Sequence, residues 1–505
     1  MPETLISRQD LLEEARRLLQ GLGEGTMSEC AYDTAWVARI PNPNRPEEPL
    51  FPATYDWLLR NQHPDGAWGT ELPFAHDRLI CTLSALVTLA SSSYRRAESE
   101  PAARRAILYL NNGTPNIRED PHETVGFELL LPELVRQAKA LDLKLPYNEW
   151  AFVEAIKADK LQRIPPIAVY GGTTPLTFSL EYLGDRVMPS LVTRSQASNG
   201  SYGASPSATA YVYLRAPNEE AEAYLRKVLE LSPDGGVISA YTIRTFELAW
   251  VLRNLSPVRD ELPDFDACVR RLQSDWTPDG IGFTENGTVP DADDTAVTLW
   301  VLRSSGLTVD TAVFELFEGQ DYFYTYAYER NPSVTSNAHI LSALRLYPAS
   351  PTHRRMIVKI LQYLRSARAD GPYWLDKWQV SPFYATGQTV SAVSGLSPEI
   401  SRPAVEWLLD QQHPDGSWGY GEGTEEETAL AADALIIAGE HDPGVAALAQ
   451  EGVDRGVDWL MTSFKALTRP GLWVAKSLYK PENIVQSQIL GTLARWYDRN
   501  GRENA

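Results

Sequence analysis

The chain has 505 residues, room for more than one ordinary core, and 66 acidic side chains against 46 basic ones give it a formal charge of −20. That balance excludes nucleic acid or an anionic membrane surface as the main partner, since either needs a basic footprint. Cys30, Cys81 and Cys268 lack metal-ligand spacing, no window of about 18 apolar residues occurs and no basic-then-apolar leader opens the chain, so a cytoplasmic protein without stable membrane insertion is expected.

Residues 5–22 place Leu11, Leu12, Ala15, Leu18 and Leu19 at helical spacing, and Gly21 and Gly23 stop the pattern. Helical patterns follow at 79–89, 102–110, 125–141, 221–231, 243–255, 352–368 and 456–464, separated by Pro and Gly, and strand-type alternation is rare. An all-α fold is predicted. Residues 58–69 recur as 408–419 with nine identities in twelve positions, both copies carrying His-Pro-Asp-Gly before a Trp-Gly pair. Weaker copies stand at 231–236, 274–283 and 199–203, and such repeated helix-turn-helix units build barrels or solenoids of paired helices.

Asp291, Asp293 and Asp294 are three carboxylates in four residues, directly ahead of an apolar helical run. Two readings stand side by side. Asp is favoured at a helix N-terminus as a cap. Three like charges this close also resist full ionisation once water is thinned, so a proton tends to stay on the cluster and makes it a candidate general acid.

Residues 291–296 match the DxDDTA signature of class II terpene cyclases, and the Pro-Asp-Gly-(Ser)-Trp-Gly turns resemble their QW repeats. Residues 31–38, 125–128, 205–211, 376–378 and 472–479 extend the likeness, and together these segments resemble the bacterial class II diterpene cyclases of the copalyl and halimadienyl diphosphate synthase kind. The resemblance implies two α/α barrels with the active site between them. A β domain at 1–22 and 220–505 would carry the acidic motif, a γ domain at 23–219 would be inserted into it, and the α domain of plant relatives would be absent.

The implied reaction protonates the terminal alkene of a linear prenyl diphosphate, closes rings through a cation and ends by deprotonation, with the diphosphate retained. Geranylgeranyl diphosphate is the expected substrate and a copalyl diphosphate, ent-copalyl in hand, the expected product. Farnesyl diphosphate giving drimenyl diphosphate is the alternative. The product would pass to a class I terpene synthase, and the enzyme would be a monomer or homodimer.

By the same resemblance Asp293 is the proton donor, Asp291 and Asp294 share its charge, and His339, favoured over Asn337, holds it. Lys160 and Lys377 would grip the diphosphate, with Lys476 a third candidate. Glu119, Asp120 and Glu123 fit an acidic motif that recruits Mg²⁺. Tyr202, Trp300, Trp374, Trp378, Phe383 and Tyr384 are the aromatic candidates for facing carbocations. Phe178 stands where plant ent-copalyl enzymes have a His, so the terminating base is open. Among rivals, a squalene-hopene cyclase would be longer, with an apolar docking helix. A prenyltransferase β subunit would need zinc ligands, a helical-barrel glycoside hydrolase would not need Lys160 or Lys377, and a helical-repeat binding protein would not need the carboxylate cluster.

Overall fold

The computed structural model describes residues 6–501 apart from 113–115, 165, 171–173, 287, 328 and 464–470. Helix α1 (Arg8–Gly21) opens on a capping box between Ser7 and Asp10 and buries Leu11, Leu12, Ala15, Leu18 and Leu19, the stripe its spacing predicts.

Two closed rings follow. In the first, α2 (Ala31–Ala38), α3 (Ala75–Ser91), α4 (Phe127–Ala140), the 3-10 segment Pro175–Arg186 and α5 (Pro206–Tyr213) pack each on the next, and α5 returns to α2. Helix α6 (Glu219–Glu230) lies outside α5. In the second ring, α7 (Arg244–Asn254), α8 (Ala292–Ser304), α9 (Val334–Leu344), α10 (Pro382–Val393), α11 (Glu425–His441) and α12 (Glu482–Asn500) close in the same way, α12 against α7. Helices Phe265–Ser274, Pro351–Ser366, Pro398–Asp410 and Pro443–Ser463 surround this ring, and α1 packs on α12. The inner helices are buried nearly all round, α3 continuously from Ala75 to Leu89, so their sequences lack the one-sided stripe of α1.

The seam between the rings differs from the expected boundary at residue 220. Helix α6 buries Ala221, Tyr224, Leu225 and Val228 and packs on α5, so it belongs to the first ring and the crossing falls between it and α7. Among the described residues the strands are three short antiparallel pairs, including Glu29–Cys30 with Val237–Ile238 and Trp473–Val474 with Leu478–Tyr479. No helix among them is long and apolar enough to cross a membrane.

The repeats lock neighbouring helices within each ring by two bonds. The indoles of Trp68, Trp374 and Trp418 donate to the carbonyls of Leu58, Leu364 and Leu408, at 2.8, 2.7 and 2.7 Å. The backbone N–H of the aromatic residue then donates to a side chain on the next inner helix: Trp68 to Thr82, Tyr202 to Thr209, Trp374 to Thr386 and Trp418 to Thr428. Ile281 makes this bond to Thr295 at 3.0 Å and Phe323 makes it to Asn337 at 3.0 Å. In four cases the accepting residue stands four positions after the helix N-cap: Ser205 and Thr209, Asp291 and Thr295, Ser333 and Asn337, Thr424 and Thr428. The tight turn needs glycine at Gly66 and Gly416, where φ is +96° and +95° and an added Cβ would meet a backbone carbonyl.

Candidate active site

Asp291 is the N-cap of α8, its Oδ1 accepting from the N–H groups of Asp293 (2.9 Å) and Asp294 (2.8 Å). Its Oδ2 accepts from the Tyr326 hydroxyl at 3.1 Å. Asp293 Oδ1 lies 2.7 Å from Nδ1 of His339 on α9, and His339 Nε2 lies 3.2 Å from Oε1 of Gln388 on α10. Asn337 is occupied elsewhere, its amide bonded to the Ser333 and Phe323 carbonyls.

Burial, reinforced by the neighbouring Asp293 charge, pushes Asp291 up to about 7 despite the hydrogen bonds it accepts. Burial and the Asp291 charge push Asp294 well above the ordinary carboxylate range. Burial and the same charge also raise the Tyr326 phenol. The cap and the acid are therefore different members of one cluster: Asp291 satisfies the helix end, and burial keeps a proton within the group.

The three aspartates face an apolar cavity at the junction of the two rings. Phe178 and Val125 line it from the first ring, and Phe246, Trp250, Phe283, Trp473 and Tyr479 from the second and its loops. A cavity with charged side chains in its lining, called the polar one below, adjoins it, and both share Val125, Thr174, Pro175, Tyr326 and Trp378 as walls. Lys160, Lys377 and Arg330 line the polar one and pair with Glu128, Glu329 and Glu123 respectively. The carboxylates thus line an apolar chamber and the lysines line its neighbour.

Of the six aromatic candidates only Trp378 lines the apolar cavity. Trp374 and Tyr202 are repeat aromatics committed to locking turns, a copy of the repeat that the sequence reading missed in the case of Trp374. Phe383 and Tyr384 are buried in α10, Tyr384 behind the cavity wall with its ring 4.9 Å from that of Trp473. Trp300 borders a separate polar cavity beside Arg253. The wall uses Phe178, Phe246, Trp250, Phe283, Tyr326, Trp473 and Tyr479 instead. Phe246 and Trp250 share a helix face four residues apart, a signal that by itself cannot separate a cavity wall from a core.

Lys476 is corrected too. Its ammonium is fully buried, 2.7 Å from Glu181 Oε1 and bonded to the Ser205 and Ser207 hydroxyls at 2.7 and 2.6 Å, with Tyr32 donating to the same Glu181 oxygen. It joins segments 31–38, 205–211 and 472–479 in one polar knot and lines neither cavity.

The expected magnesium ligands do not fit a metal held by this chain. Asp120 turns inward and accepts from the N–H groups of Ala75 (2.6 Å), His76 (3.3 Å) and His122 (2.9 Å), capping α3. Glu123 pairs with Arg330, and Glu119 is exposed on the turn. No group of three His, Cys, Asp or Glu among the described residues converges as a metal site.

Residues 327–480 match the family model described as squalene-hopene cyclase C-terminal domain. The chain is 34% identical to the type B diterpene cyclase of Mycobacterium tuberculosis, over 95% of its own length and 98% of that protein. It is 32% identical to the chloroplastic ent-copalyl diphosphate synthase 2 of Zea mays, over 74% of its length and 46% of the maize enzyme. The solved ent-copalyl diphosphate synthase of Streptomyces platensis superposes with a TM-score of 0.79 at 28% identity, covering 96% of this chain and 99% of that one. The chain belongs to the class II diterpene cyclases. Within that family it is copalyl diphosphate synthase-like, sharing the whole two-ring fold with the Streptomyces enzyme.

Proposed function

We propose that this enzyme protonates the terminal alkene of geranylgeranyl diphosphate and closes it to a bicyclic copalyl-type diphosphate, ent-copalyl in hand, keeping the diphosphate. The observation that carries the reading is the adjacency of the two chambers, which share five wall residues: buried aspartates line one and lysines the other.

An alkene is a very weak base, so the donor must hold its proton at rest and be shielded from water. In this reading Asp293 delivers the proton. His339 holds Asp293 Oδ1, leaving the second oxygen for the terminal carbon. Asp294, kept neutral by burial, and Asp291, anchored by two backbone N–H groups, supply the proton inventory of the cluster. The N-terminus of α8 then stabilises the carboxylate left behind. The cation that forms moves among ring faces of Phe246, Trp250 and Trp473, which attract it without offering a nucleophile. Lys160 and Lys377 exchange their carboxylate partners for diphosphate oxygens and hold the head group away from the acid. The product, an allylic diphosphate, would be consumed by an enzyme that ionises that group.

The test is incubation with geranylgeranyl and with farnesyl diphosphate, then dephosphorylation and mass spectrometry against copalyl, type B and drimenyl standards. Cyclised copalyl alcohol from the C20 substrate alone is expected. A drimenyl product would move the reading to the shorter substrate, and no cyclised product from either would overturn it.

A further inference from the structure

Trp473, a wall of the apolar cavity, donates its indole N–H to Glu426 Oε1 at 2.7 Å. Both residues are buried, and the Gln379 amide donates to the same oxygen at 3.2 Å. Glu426 sits in the first turn of α11, outside the cavity, with the indole interposed. Around Trp473 the rings of Tyr384, Phe246 and Trp250 lie 4.9, 5.4 and 6.5 Å away, so the indole is clamped where it lines the chamber. A carboxylate buried behind an aromatic wall needs a reason, because a neutral acceptor would satisfy the indole at less desolvation cost.

We propose that Glu426 is a positioning residue for the carbocation: a buried counter-charge that acts through the Trp473 indole, fixing its plane and enriching its cavity face in electron density. A carboxylate accepting from an indole N–H polarises the ring toward negative potential, and a cation over the opposite end of that π-system is held more firmly. The anion stays one ring away from the cation, so it attracts without adding to it or removing its proton.

Among the described residues, Glu427 beside Glu426 opposes its ionisation and Lys480 favours it, and burial, with the Glu426 charge in turn helping, raises the Tyr479 phenol. Burial, with the Glu427 charge adding, pushes Glu426 up to about 7, so the counter-charge is in place on the alkaline side of neutrality.

This inference rests on the cyclase reading of the cavity, and binding rather than turnover separates the two. The probe is an ammonium analogue of the prenyl diphosphate, with nitrogen at the carbon that becomes cationic, compared by calorimetry at pH 8 with its neutral carbon isostere. For Glu426→Gln, which keeps an acceptor for the indole and loses the charge, the ammonium should bind about fivefold more weakly, within the range of one cation–π contact, while the isostere changes less than twofold. Glu426→Met, a second neutral variant of similar length, should show the same selective loss. Equal losses for both probes, or no loss for either, would overturn the proposal. Failure of the native enzyme to cyclise any prenyl diphosphate would instead count against the cyclase reading.

Discussion

His339 Nδ1 lies 2.7 Å from Asp293 Oδ1, across the contact between α8 and α9, while Gln388 on α10 meets the other nitrogen of the same imidazole at 3.2 Å. One helix of the ring carries the acid, the next holds it, and the third holds the holder. Asp293→Asn should therefore lower kcat by about 10³-fold or more, and His339→Ala by about 10²-fold, with KM nearly unchanged for both because neither group touches the head of the substrate. Steady-state kinetics on the purified variants checks this, and a His339→Ala enzyme at native rate would remove His339 from the site.

The cluster also fixes a pH dependence. Asp291 sits near 7 in the folded protein and near 3.9 unfolded, so between about pH 4 and 7 the native state binds more protons than the unfolded one. Its contribution to stability is full below about pH 4 and is lost as the pH rises through 7. Activity should fall over the same alkaline side as the cluster loses its proton. Asp291→Asn keeps a good cap, so its thermal midpoint should vary less between pH 5 and 8 than that of the native protein. An equal or steeper variation would contradict the assignment.

The three lysines separate by role. Lys160→Ala and Lys377→Ala should each raise KM by about tenfold or more, the scale of a lost charge-assisted hydrogen bond, and should also lower the melting temperature because each strands a nearly buried carboxylate, Glu128 or Glu329, whereas Lys476→Ala should leave KM unchanged. Lys476→Ala leaves Glu181 buried without its cation and should destabilise the fold by about 3–5 kcal/mol. Melting curves beside kinetics distinguish the classes, and a Lys476→Ala protein with native stability and raised KM would restore it to the diphosphate site.

Phe178 lines the cavity with the Lys476 ammonium 4.7 Å from its ring. A histidine there would be kept neutral by that charge and would place a base in an otherwise aromatic stretch of wall. Phe178→His should shift the product spectrum toward a different site of proton loss, or toward a hydroxylated product if it brings water. An unchanged product profile by gas chromatography and mass spectrometry would show that proton loss occurs elsewhere.

Magnesium gives a sharp contrast between the acidic turn and the chamber. Asp120 caps α3, so Asp120→Asn should lower the melting temperature slightly and leave any magnesium response of the native enzyme in place. Glu119→Gln should do the same. Loss of that response in either variant, measured by titrating the metal after chelation, would return the turn to a metal-recruiting role.

Much of the architecture was legible because it is written locally. The amphipathic α1, the Pro-Asp-Gly turns and the apolar inner helices each follow from spacing and turn chemistry within about twenty residues. The acidic cluster was legible for the same reason, since its three carboxylates are neighbours in the chain. What sequence could not show was which aromatic ring faces the chamber. Trp374 and Trp473 are both buried, yet one spends its indole N–H on the Leu364 carbonyl and the other on Glu426 beside the cavity. That difference arises only when Glu426 and Trp473, 47 residues apart in the chain, meet. Lys476 misled in the same way: matching neighbours placed it in a functional segment, and only the arrival of Glu181, Ser205 and Ser207 shows it to be internal mortar. The seam at residue 220 shifted because α6 carries an ordinary amphipathic stripe, which says that it packs but not against which ring.

The spacing of cap and lock has a consequence for how such a catalyst is made. Asp291 and Thr295 occupy the places that Ser205 and Thr209, Ser333 and Asn337, and Thr424 and Thr428 occupy on other staves of the two rings. The scaffold asks for a polar side chain at every one of these helix starts for its own closure. A proton donor could thus be acquired by changing a residue just inside an existing cap, as Asp293 stands two positions inside Asp291, with the backbone already drawn.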